Sequence, residues 1–187
     1  FCLSDRDYKN LKDETYYVKI DSSLNPGIMN YGELIIPGSS KDEILLSTYL
    51  CHPSMANNEL SGPVVTTQLA KWLLSQKKLR YTYRIIFVPE TIGSIVYLSL
   101  NIAHMKKNII GGYVVTCIGD PAPFSYLKTR RENSLVNKIT THVLDCRCSQ
   151  YNTYEYLERG SDERQYNYPG VDLDIGSLMR SKYREYP

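Results

Sequence analysis

Glu43-Ile44-Leu45-Leu46-Ser47-Thr48-Tyr49-Leu50-Cys51-His52-Pro53 is an apolar run of strand length closed by a histidine and a proline. Proline has no backbone N–H to give to a ladder, so the run predicts a buried strand with His52 just past its C-terminal end. The arrangement returns twice downstream. Tyr81 to Val88 predicts a second strand, followed by Pro89-Glu90. Ile109, Gly111-Gly112 and Tyr113-Val114-Val115-Thr116-Cys117-Ile118 predict a third, which ends at Gly119-Asp120. Each of the three strands thus ends in a residue able to bind a metal.

Helical patterns fill the gaps between them. Ser61 or Gly62 can cap a helix with Pro63 in its first turn and Val65, Leu69, Trp72 and Leu73 as an apolar stripe. A basic turn at Lys77-Lys78 leads to the second strand, and an apolar helix runs from about Ile92 to Met105. A last amphipathic helix carries Leu135, Val136, Ile139, Val143 and Leu144, ahead of a long polar stretch and a short strand near Val171 to Leu178. On the N-terminal side, Tyr16-Tyr17-Val18-Lys19-Ile20 and Tyr31-Gly32-Glu33-Leu34-Ile35-Ile36 read as two strands joined through Asn25-Pro26-Gly27, an antiparallel pair at a sheet edge.

Strands alternating with helices imply an α/β three-layer sandwich, a mostly parallel mixed central sheet flanked by helices. At 187 residues, without internal repeats, the expectation is one domain over 1–187. In open α/β sheets ligands collect outside the carboxyl ends of the strands, where His52, Glu90 and Asp120 would converge.

Composition narrows the function classes. The 22 Lys+Arg against 20 Asp+Glu leave +2, with the charges scattered instead of forming a basic stripe, which speaks against nucleic acid as a partner. The apolar runs are strand-sized, far short of the ~20 residues of a membrane span. Five cysteines without a CxxC pair argue against a disulfide framework or a zinc knuckle and for reduced thiols in the cytoplasm. The start Phe1-Cys2-Leu3-Ser4 lacks Met and any signal-peptide pattern, so the chain is expected to be a piece of a longer protein, truncated at both ends.

A neutral imidazole with carboxylates is a donor mixture that zinc accepts where a position must stay open for water. Taken singly, His52 could be a loop hydrogen bonder, Glu90 a helix cap and Asp120 a turn residue. Together, in equivalent topological positions, they indicate a metal site, with Glu90 as the candidate general base.

The segment Thr48-Tyr49-Leu50-Cys51-His52-Pro53-Ser54-Met55-Ala56-Asn57-Asn58-Glu59-Leu60-Ser61-Gly62-Pro63 closely resembles a bacterial family of aminopeptidase-like proteins. That family is related to the di-zinc exopeptidases, among them leucyl aminopeptidases, glutamate carboxypeptidase and glutaminyl cyclase. Pro89-Glu90-Thr91-Ile92-Gly93-Ser94, the strand ending at Asp120, and Gly160-Ser161-Asp162-Glu163 support the resemblance by their order and spacing. It implies that His52 and Asp120 bind one zinc and that Glu90 is the base. Asn58 stands where the wider superfamily has a bridging aspartate, and Thr91 where it has a second glutamate; Glu59 is the nearest carboxylate that could compensate. One zinc is therefore expected, with the second position short of ligands. Ser161-Asp162-Glu163 resembles a Ser-Asp-His element, with Glu163 in place of the histidine, and is expected to support the ligands or touch substrate.

Relatives continue past this point to a Tyr-His-Thr segment that supplies a last histidine. Neither His104 nor His142 matches it, both falling in helices, so the piece ending at Tyr183-Arg184-Glu185-Tyr186-Pro187 is expected to bind zinc weakly and turn over little. The leading expectation is a zinc-dependent exopeptidase acting on a peptide or small amide. Two others stand beside it: a degenerate module that binds peptides or aminosugars without turnover, and an amidohydrolase of surface-polysaccharide metabolism. The fold leaves room for an oligomer.

Overall fold

Apolar residues alternate along β2 (Glu43–Tyr49), so Leu45 and Tyr49 face one side of the sheet and Leu46 the other. The same alternation in β3 (Thr82–Val88) sends Ile86 and Val88 to the first side and Ile85 to the second. A strand buried on both faces needs cover on both, and helices supply it. The computed structural model describes residues 4–53 and 55–182; Phe1-Cys2-Leu3, Ser54 and the closing Tyr183 to Pro187 lie outside the described residues.

One seven-stranded sheet results, in which β1 is Gly32–Ile36, β4 Ile109–Val115, β5 Phe124–Leu127, β6 Tyr151–Tyr154 and β7 Ile175–Met179, ordered β1-β3-β2-β4-β7-β5-β6. The centre is parallel: β3, β2, β4 and β7 run together, while β1 on β3 and β5 on β7 are antiparallel. α3 (Ile92–Asn108) and the short α5 (Asp162–Tyr166) cover the first face, through Tyr97, Leu98, Met105 and Tyr166. α2 (Ser61–Ser75) covers the second through Ala70 and Leu73. α4 (Leu135–Arg147) joins it there, with Thr140 Oγ1 2.8 Å from the Tyr113 hydroxyl. These layers are the three-layer α/β sandwich that the strand and helix patterns imply. A single helical turn, α1 (Asp5–Lys9), precedes them.

Several boundaries differ from the sequence reading. Tyr16 to Ile20 forms no strand: residues 11–31 carry no strand, and Tyr17 is 92% exposed, with no strand among the described residues paired to it. β1 pairs with β3 instead. The α2 stripe is rotated from Val65, Leu69, Trp72 and Leu73 to Gly62, Thr66, Ala70 and Leu73, leaving Trp72 58% exposed. Small residues win the inner face because the helix starts hard against the sheet at Gly62. On α4, Val136 and Leu144 turn inward with Asn137 and Thr140, while Ile139 and Val143 stay exposed. The last strand is shorter than Val171 to Leu178, since Asp172 and Asp174 both take positive φ and interrupt it.

His104 is satisfied far from the strand C-termini. It meets buried Glu43 at 2.7 Å, and Arg84 spans Glu43 and Glu33 beside it, at 2.6 Å from each. Burial works against ionisation of Glu43, but hydrogen bonds from Arg84 and His104 win and hold its carboxyl below the usual range. Cys51, Cys117, Cys146 and Cys148 are free thiols. Among the described residues no helix is long and apolar enough to cross a membrane.

Candidate functional site

β2 leaves the sheet at Leu50, whose N–H still reaches the Val88 carbonyl at 3.0 Å. The chain then returns through a turn of π-helix, Ala56–Leu60, that runs directly into α2 and buries Asn58 and Glu59. Glu59 points back to where β2 ended: its Oε2 accepts the Cys51 N–H at 2.5 Å, and its Oε1 lies 3.7 Å from Cys51 Sγ and 3.8 Å from His52 Nε2.

The second approach comes from the β3–α3 junction. Glu90 Oε2 lies 3.2 Å from His52 Nε2, and its Oε1 accepts the Ser161 hydroxyl at 2.5 Å. Thr91, next in sequence, takes φ 62°, a left-handed backbone that costs a β-branched residue on the order of 1–3 kcal/mol. Asp162 holds that turn: its Oδ1 accepts the Thr91 N–H at 2.7 Å and the Ser94 hydroxyl at 3.1 Å. Glu163 in turn accepts Ser161 N–H at 2.9 Å and Ser177 Oγ at 2.9 Å and pairs with Arg159 at 3.1 Å. Ser161-Asp162-Glu163 therefore braces the base of the site, and only Ser161 touches Glu90.

Asp120 stands apart from this group. Its oxygens accept Asn57 Nδ2 and Ala122 N at 2.8 Å and Ser181 N at 3.2 Å. Burial alone would raise its pKa, yet these bonds to Ala122, Asn57 and Ser181 keep the carboxyl below the ordinary aspartate range. Asp120 lines a hollow of about 470 Å³ with Asn57, Ser61 and Val64, whereas Cys51, His52 and Glu59 line a neighbouring one of about 370 Å³. Asn58 is buried, and its carbonyl accepts Thr116 Oγ1 at 3.4 Å.

Asp162 has no exposed surface, and its Oδ2 finds no hydrogen-bond donor among the described residues. Burial, reinforced by the charges of Glu163 and Glu90 against the Thr91 and Ser94 bonds, pushes its pKa from 3.8 to about 7. Between those values the folded chain holds a proton that the unfolded chain has lost, so stability from this group is full at acid pH and falls as pH rises towards 7. Asp162→Asn cannot titrate. In chemical denaturation it is expected to gain about 2–3 kcal/mol relative to the parent chain between pH 5 and pH 8. An unchanged difference between the two pH values would show that the carboxyl ionises normally.

Residues 13–187 match the family model described as a domain of unknown function, DUF4910. The chain belongs to the DUF4910 family. A Clostridium acetobutylicum protein, described as a candidate polysaccharide biosynthesis protein with an aminopeptidase-like domain, is 46% identical over 183 residues, covering 98% of this DUF4910 chain and 42% of that protein. A crystal structure of a candidate peptidase from the same organism superposes with a TM-score of 0.85 at 46% identity, over 97% of this chain and 43% of the other. The chain thus spans less than half the length of these relatives. Solved aminopeptidases and glutaminyl cyclases share the fold at TM-scores of 0.60–0.63 and 12–17% identity. One is BSAP, a zinc aminopeptidase from Bacillus subtilis, matched over 84% of this chain and 41% of its own with a TM-score of 0.61.

The donors in this DUF4910 chain fit such a metal. Among the described residues, Cys51 Sγ, a His52 ring nitrogen and a Glu90 oxygen all lie within 4.8 Å of one another, and imidazole, thiolate and carboxylate are zinc's ligands. Cys51 is the neighbour that strand counting overlooked. Its only sequence signal is its place beside His52, because its approach to Glu59 and Glu90 is made by the π-helical turn and by the β3–α3 junction. Burial, with the charges of Glu59 and Glu90, pushes its thiol up to about 11 against a backbone hydrogen bond at Glu90.

Proposed function

We propose that this DUF4910 chain is the catalytic part of a metal-dependent amide hydrolase of exopeptidase type, with Glu90 as general base. The observation that carries the reading is the posture of Glu90 at the C-terminal end of the parallel strands. One oxygen is held by Ser161 at 2.5 Å and the other meets His52 Nε2 at 3.2 Å, beside the hollow that His52 lines with Cys51 and Glu59. A carboxylate restrained on one oxygen presents the second in a set direction, which general-base catalysis needs.

A zinc ion, when bound, supplies Lewis acidity towards the substrate carbonyl and lowers the pKa of water to ~7. His52 and its neighbours would hold it. Glu90 Oε2 takes the proton from the attacking water, and the proton passes to the leaving amine. Ser161 keeps Glu90 from rotating away during that exchange, while Asp162 fixes the Thr91 turn on which Glu90 sits.

Glu90→Gln in the full-length protein is expected to cut hydrolysis of an aminoacyl test amide at least ~100-fold while zinc content stays constant. Undiminished turnover in that variant would remove Glu90 from the role. A saccharide-linked amide as substrate is a second reading, favoured by the description of the 46% identical relative as a candidate polysaccharide biosynthesis protein. Screening peptide and N-acylated sugar amides against the full-length protein separates the two. Binding of either class without hydrolysis would favour a non-catalytic module, to which the neutral Asn58 and Thr91 would be suited.

A further inference from the structure

We propose that Cys51 and His52, consecutive residues at the end of β2, bind one zinc-type cation together with Glu59 and leave Glu90 free as the base. The proposal rests on the hydrolase reading above and assigns its metal a donor set that includes a thiolate.

Three observations carry it. The first is spacing. Metal bonds of ~2.0–2.3 Å in a tetrahedral shell put neighbouring nitrogen, oxygen and sulfur donors ~3.3–3.5 Å apart. Around this point His52 Nε2 is 3.2 Å from Glu90 Oε2 and 3.8 Å from Glu59 Oε1, and Cys51 Sγ is 3.7 Å from Glu59 and 4.0 Å from Glu90. The two spacings to Glu59 exceed the tetrahedral value by a few tenths of an ångström, and the Cys51 and His52 donors lie within 4.8 Å of each other.

The second is charge. Glu59 is only 3% exposed, and among the described residues no lysine or arginine pairs with it; His52 is its one basic neighbour. A buried carboxylate without a cation is expensive, and a divalent ion at this point would neutralise it. Binding releases the Cys51 thiol proton to solvent, so one thiolate and one carboxylate balance the two positive charges of the ion.

The third is the occupation of the alternatives. Three hydrogen-bond donors already hold Asp120, which lines the other hollow. Glu59, by contrast, spends Oε2 on the Cys51 N–H and leaves Oε1 aimed at the thiol and the imidazole. Cys51, His52 and Glu59 would be three of a tetrahedral ion's donors, with its remaining position towards Glu90. A thiolate among them selects zinc or cobalt over magnesium or manganese.

The test uses the full-length protein, stripped of metal and loaded with Co²⁺. A thiolate-to-cobalt charge-transfer band is expected in the near ultraviolet, beside visible bands of a tetrahedral ion. Cys51→Ser should abolish the near-ultraviolet band. Cys51→Ser and Glu59→Gln should each weaken cobalt binding by more than ~100-fold, the upper end for residues that only support ligands, and Asp120→Asn by less than ~10-fold. Circular dichroism matching the parent protein confirms that each variant is folded; should Glu59→Gln fail to fold, the band and its loss in Cys51→Ser decide. Cobalt bound without the band, no cobalt bound, or Asp120→Asn as damaging as Cys51→Ser overturns the donor set. If the band is absent but Glu90→Gln still abolishes hydrolysis, the donor set falls and the hydrolase reading stands. If the band is present and Glu90→Gln turns over at full rate, the metal site stands and the assignment of the base falls.

Discussion

Arg159→Met is expected to destabilise the fold by about 3–5 kcal/mol, the range for breaking a buried ion pair from one side. Arg159 and Glu163 are both buried, 3.1 Å apart, and Arg159 also donates to the Tyr49 hydroxyl at 3.0 Å. Methionine fills much of the volume but leaves the Glu163 carboxylate facing only Ser161 N–H and Ser177 Oγ. For a chain of this length the loss corresponds to about 6–20 °C in melting temperature. Denaturant titration of Arg159→Met, Glu163→Met and the double variant measures the pairing directly, with an interaction energy of about 1–3 kcal/mol expected. A single-variant cost below about 1 kcal/mol would show that the pair is not what anchors this segment. Because Ser161 hangs from Glu163 and grips Glu90, the same substitution should also slow hydrolysis in the full-length protein.

Gly62→Ala is the second large effect. A Cβ at that position would stand 2.3 Å from the Val115 carbonyl oxygen and 2.6 Å from Thr48 Oγ1. Neither can yield cheaply. Val115 is the last residue of β4, and its carbonyl already accepts the Thr48 hydroxyl at 3.0 Å. α2 would have to lift from the sheet at its first turn, so the cost should reach or exceed about 3 kcal/mol, the upper end for overpacking. Lifting α2 also moves the π-helical turn that carries Asn57 and Glu59. Loss of stability by denaturant titration and weakened metal binding should therefore appear together. An alanine variant as stable as the parent would show that α2 has room to shift.

The parallel centre of the sheet was legible from the chain because its signals are local. Mainly apolar runs at 43–50, 81–88 and 109–118 mark strands covered on both faces, and prolines or glycines mark where they stop. From there the placement of His52 and Glu90 beyond strand ends follows by counting, and the structure sets them 3.2 Å apart. Elements without such signals were harder to read. β5 and β6 are four residues each, too short for a period to show, and β6 has no fully buried residue. Tyr16 to Ile20 has strand composition, but composition does not supply the partner strand that a ladder needs.

What the sequence by itself determined is the α/β sandwich and the two strand ends on which His52 and Glu90 sit, since periodicity and chain breakers act over a few residues. What only the tertiary structure decided is the company those residues keep. Asp120 follows its strand as His52 does, yet donors from Asn57, 63 positions away, and Ser181, 61 positions away, take its oxygens. Glu59 reaches Cys51 and His52 because a π-helical turn, seated on a glycine that lets α2 close on β4, points it inward. Which carboxylate meets the imidazole depends on hydrogen bonds closed between distant segments, and no local pattern in the chain encodes them.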